Sequence, residues 1–145
     1  MPTFWADSEC AMEGLSEHCR SALEVPLHKM RELGFTEIGF ASGVKLSLDP
    51  RHLDSGSIRF LDRSRSHFGL VVYTRVHDPA SPGAMRETVI VIFTAVFEQH
   101  LVACGTASTT FDPPRNDVVI RMPSSDPGVI HERFLKCLDS YHEKP

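Results

Sequence analysis

The 145-residue sequence predicts an α+β domain, an antiparallel sheet of four to five strands with an N-terminal and a C-terminal helix packed on one face. Three observations lead there. Apolar residues recur at three- and four-residue steps near both ends of the chain, the period of a helix with one buried side. Between those ends lie alternating or wholly apolar runs, the mark of strands. The connections between the runs are short, and short connections favour antiparallel neighbours because parallel ones need long crossovers.

Each element has a local cause. Residues 1–12 carry no period and read as a loose N-terminal arm. From Leu15, the residues Cys19, Leu23, Leu27, Met30 and Leu33 form one stripe, with Glu17, Arg20, Glu24 and Arg31 opposite. Pro26 interrupts the stripe, giving either a kink or two helices, since proline lacks an amide donor. Gly34 stands where a helix C-cap belongs. Ile38, Phe40, Ser42, Val44, Leu46 and Leu48 alternate as a strand. Residues 49–66 read as a polar, irregular stretch with at most a short strand at 58–61. His67 to Val76 is a strand, and 78–83 (Asp-Pro-Ala-Ser-Pro-Gly) is turn chemistry. Thr88 to Phe97 is the most apolar strand, followed by a turn at 98–100 and a strand of small residues at 101–109. The register of that turn stays open: a two-residue loop pairs Cys104 with Ala95, a three-residue loop with Thr94. A second turn at 112–117 precedes a strand at 118–122. Asp126 then caps a final helix with Pro127 at its first position, carrying Ile130, Phe134, Cys137, Leu138 and Tyr141 inward.

The bulk properties fit a single domain over 1–145, long enough for a sizeable core without staples. The net charge of −4 gives no field for nucleic acid. No apolar run approaches the ~20 residues of a spanning helix, so no membrane segment is expected. The N-terminus lacks a secretory pattern, and the four cysteines are too few for a disulfide scaffold, so the expected setting is cytoplasmic with reduced thiols.

The strand at 88–97 bears on function. Ile90, Ile92 and Val96 lie on one face, and Val89, Val91, Phe93 and Phe97 on the other. A sheet with helices on one side normally turns polar residues outward on the other. Both sides of this strand are therefore expected to be kept from water. A curled sheet around a pocket, the 49–66 segment or a second subunit would each do so. The favoured cover is a homodimer through Ile90, Ile92 and Val96.

Motifs for nucleotides are absent: there is neither a P-loop nor a G-x-G-x-x-G turn. No Cys or His spacing matches a compact zinc site, so no metal or cofactor is expected. Cys104, with His100 in the preceding turn or His131 in the last helix, forms the sharpest enzymatic candidate, because an imidazole-activated thiolate performs acyl transfer. The alternative is that Cys104 packs as a small hydrophobe. Arg59, Arg63, Arg65 and His67 form a basic stretch in an acidic chain, which reads either as a solvated loop or as a site suited to a small anionic ligand or an acidic partner.

The segments Met30-Arg31-Glu32-Leu33-Gly34-Phe35, Val91-Ile92-Phe93-Thr94 and Pro127 to Leu138, with His131 inside the last, resemble a loose group of small bacterial α+β proteins. That group has an LGF helix end, an antiparallel sheet and a closing helix, and no assigned activity. The resemblance implies the architecture and no functional residue. The expected function is thus a non-catalytic binding or regulatory module, homodimeric, engaging a protein or small anionic ligand. The alternatives are a cysteine-dependent hydrolase or transferase using Cys104, and a carrier with a pocket inside a curled sheet.

Overall fold

The computed structural model describes residues 8–10, 14–42, 52–62, 64, 67–78, 80–81, 83–97, 101–106 and 118–142. The chain runs β1 (Ser8–Cys10), α1 (Glu17–Glu32), β2 (Thr36–Ser42), β3 (His52–Asp62), β4 (His67–His77), β5 (Met85–Val96), β6 (Leu101–Thr106), β7 (Val118–Met122) and α2 (Pro127–His142). These strands make one sheet in sequence order, six longer strands with the three-residue β1 at one edge.

Helix α1 begins at Ser16, whose hydroxyl accepts from the Cys19 amide at 3.1 Å and satisfies one of the free amides of the first turn. It passes through Pro26 without breaking, as one sixteen-residue helix. Its end is a Schellman motif: Phe35 N–H donates to Met30 C=O and Gly34 N–H to Arg31 C=O, both at 3.0 Å. Gly34 sits at φ 95°, where any side chain would strain the backbone. The motif turns Phe35 inward, against Phe93.

Helix α2 is capped by Asp126, whose carboxylate accepts from Gly128 N–H at 2.9 Å while its carbonyl accepts from Ile130 N–H. Lys29 of α1 lies 3.2 Å from the same carboxylate and ties the two helices together. Both helices cover one face of the sheet. Cys19, Leu23 and Met30 of α1, with Ile130 and Phe134 of α2, meet Phe60, Val71, Tyr73, Val91 and Phe93 in one buried cluster. Gly69 leaves room for this layer: a methyl there would collide with Met30 Cε, with Phe60 and Phe35 close behind.

Strand pairing corrects the expected sheet. Antiparallel pairs run from β1 to β6, but β6 and β7 are parallel. The sheet is therefore mixed. Residues expected to form an irregular segment instead make β3, fully paired along β4 from His52 to Asp62 apart from one irregularity. Within the expected arm, Ser8–Cys10 pairs with β2. The expected strand residues 43–48 and 107–109 lie outside the described residues.

The β5–β6 register also differs from both alternatives. Val96 pairs with Leu101, so Cys104 lies opposite Phe93 rather than Ala95 or Thr94. Because side chains alternate, a one-residue slip would have turned Cys104 outward. The observed register puts it on the helix-covered face.

Candidate functional site

The structure places Cys104 and His131 in the same part of the core. Cys104 has no exposed surface, neighbours Phe93 across the ladder, and points its Sγ at the Ile130 carbonyl, 3.7 Å away. Desolvation dominates its chemistry and pushes the thiol from 9.0 to about 11, against the opposing attraction of Arg133. At neutral pH such a group is overwhelmingly the neutral thiol, which is neither a nucleophile nor a metal ligand. His131 opens the buried side of α2 and is 8% exposed. Its ring packs on Phe93 at 4.9 Å, edge-on to Phe35 at 5.5 Å, and beside Phe134. This is the packing of two core side chains. His100 lies outside the described residues.

The basic stretch is divided. Arg59 is exposed on the face of the sheet away from the helices, its guanidinium lying over Gly39. His67 is on the opposite face, edge-on to Phe134 at 5.2 Å. Asp62, its cross-strand neighbour, is buried and accepts from the Ser64 amide and hydroxyl. Arg63 and Arg65 lie outside the described residues. Arg59 and His67 thus belong to different surfaces and do not converge on one ligand.

Ile90, Ile92 and Val96 do come together, on the face opposite the helices. The pairings set them in cross-strand rows with residues from four neighbouring strands. One row is Leu61–Phe68–Thr94–Ala103–Val119, the next is Arg59–Leu70–Ile92–Gly105–Arg121, and a third joins Ser57, Val72 and Ile90. Phe68 is 43% exposed and Val96 65%, while Leu70, Val72, Ile90 and Ile92 are half-buried. Within the single chain, then, this side of β5 is not kept from water, contrary to expectation. Among the described residues of β3 to β7, the charged side chains on this face are Arg59, Arg86 and Arg121, all at its margins; Arg86 reaches Asp78 at 3.4 Å. Phe68, Leu70 and Val72 complete the surface. Their shared face is visible in the alternation of 67–76, but their place beside Ile90 and Ile92 depends on strand order.

Two shallow grooves lie on the helix side. One, of about 280 Å³, is lined by Val25, Pro26, Val89 and Pro127 beside the Lys29–Asp126 pair; the other follows the outer face of α1 around Arg20 and Glu24. Among the described residues, no group of three His, Cys, Asp or Glu side chains is placed to hold a metal ion. No helix there is long and apolar enough to cross a membrane. Comparison of the chain with protein-family models, curated proteins and solved structures finds no match.

Proposed function

We propose that this chain is a non-catalytic binding or regulatory module, and that its recognition surface is the open face of the sheet. One observation carries the reading: a contiguous apolar surface on β4 and β5, extended by Leu61, Ala103 and Val119, lies on the side the helices leave uncovered. Water-facing sheet surfaces are ordinarily polar, and large contiguous apolar patches mark interaction sites. The arrangement also has the anatomy of an interface, an uncharged centre with charge confined to the rim. The buried, neutral thiol of Cys104 supports the same reading over the enzymatic one.

The test compares two adjacent residues on β5. Ile92→Glu places a carboxylate on the open face, whereas Phe93→Glu buries one beneath the helices. Ile92→Glu is expected to keep the native circular dichroism spectrum at 25 °C and Phe93→Glu to lose it, because an unpaired buried charge costs several kcal/mol, roughly the whole stability of a small domain. If Ile92→Glu unfolds as Phe93→Glu does, the open face is interior to the fold and the reading fails.

A further inference from the structure

We propose that the open face is covered by a second copy of this chain, the two sheets packing face to face about a twofold axis. The proposal rests on the reading above and names its partner. Its ground is the size and chemistry of the surface. From Leu61 on β3 to Val119 on β7 the face crosses four strand spacings, about 19 Å at ~4.8 Å each. Along β5, Thr88 to Val96 extends about 27 Å at ~3.4 Å per residue. Because β6 and β7 are described only beside the C-terminal half of β5, the described flat area is about 400 Å², which puts a face-to-face pair at the low end of interface sizes, where association depends on concentration.

Width rules out a single helix. A single helix is ~10 Å across and would leave half of the width bare. A second sheet packed ~10 Å away covers all of it, with inner side chains interdigitating as in a sandwich core.

Charge points the same way. The rows across β4, β5 and β6 carry Phe68, Leu70, Val72, Ile90, Ile92 and Val96, with threonines between and no charged residue. A partner bringing a charge onto this centre would strand it without a counter-ion. An identical face brings none. In a twofold arrangement Arg59 and Arg121 stay at the solvated margin, where like charges are screened. Phe68 and Val96, the most exposed apolar side chains of this face, become its anchors.

Light scattering of the full chain from about 1 to 100 µM decides the matter, together with Ile92→Glu and Phe68→Ala. The expected result is a wild-type particle of twice the 16.2 kDa chain mass. Ile92→Glu is expected to weaken self-association at least about 100-fold while keeping its native spectrum. A wild-type single chain at 100 µM, with Ile92→Glu still folded, overturns the second copy and leaves the binding reading standing. A dimer that persists in folded Ile92→Glu also overturns it. Unfolding of Ile92→Glu overturns the binding reading itself. Phe68→Ala is the milder, independent probe of the dimer: association weakened with the fold retained supports it, and unchanged association refutes it.

Discussion

Alkali is expected to destabilise this fold through Cys104. The thiol is wholly buried, and desolvation holds it at about 11 rather than 9.0 in the native chain. The unfolded chain releases the proton near the ordinary thiol value, whereas the folded chain keeps it for about two further pH units. Between those values the native state binds more protons than the unfolded state, so stability falls as pH rises. The contribution is fully present below about pH 8.5 and is lost through pH 11. Two units at ~1.4 kcal/mol each give about 3 kcal/mol in total, of which about 2 kcal/mol is gone by pH 10.5. Urea unfolding of the wild type and of Cys104→Ala at pH 8 and pH 10.5 isolates this effect, because Cys19 and Cys137 are present in both proteins. The wild type is expected to lose about 2 kcal/mol more than the variant over that interval. Parallel losses in the two proteins would refute the reasoning. So would alkylation of Cys104 in the folded protein at pH 7 at the rate of a free thiol, since a group with this pKa is ionised in only about one molecule in ten thousand.

Three further perturbations test other parts of the fold. Phe93→Ala removes the ring that joins Phe35, His131 and Phe134, and is expected to cost about 3–5 kcal/mol in urea unfolding. Gly34→Ala forces an alanine to φ 95° at the end of α1 and is expected to cost about 1–2 kcal/mol, although the space around it is open. Asp126→Ala removes both the α2 cap and the tie to Lys29, for about 1 kcal/mol. The hydrogen bonds from Lys29 and Gly128 lower the pKa of Asp126, so its contribution is present above the usual carboxylate range and lost as pH falls below it. The difference between wild type and Asp126→Ala is expected to shrink between pH 5 and pH 2, which acid-dependent urea midpoints would show.

Much of this architecture is legible in the sequence where one local cause dominates. The α1 stripe, the Gly34 cap and the Asp126-Pro127 start of α2 depend on neighbours in the chain, and each stands where its residues place it. The strand at 67–76 and the two-sided apolar strand at 88–97 are equally plain, and the open-face residues Ile90, Ile92 and Val96 follow from alternation alone. Strand β3 is hidden because its outward residues, Leu61 apart, are the polar Ser55, Ser57 and Arg59, and its inward ones include Gly56 and Asp62. Only Ile58 and Phe60 betray it, and the ladder to β4 supplies the rest. The parallel pairing of β7 leaves no local mark, since Pro113 and Pro114 read equally well as a tight turn or as part of a crossover. The β5–β6 register is likewise ambiguous in the sequence, and the observed pairing of Val96 with Leu101 places Cys104 against Phe93 under the helices. The separation of Arg59 from His67 is again a matter of faces. Nearness in sequence promised a patch that the pleat divides.

The face-to-face assembly is tested most directly by mixing isotope-labelled and unlabelled chains and recording magnetisation transfer between protomers. Methyl groups of Leu70, Val72, Ile90, Ile92 and Val96 are expected to show contacts to the other chain, with none from Val91 or Val102 beneath the helices. Contacts confined to the β7 edge, or none in a sample that scatters as a single chain, would contradict it.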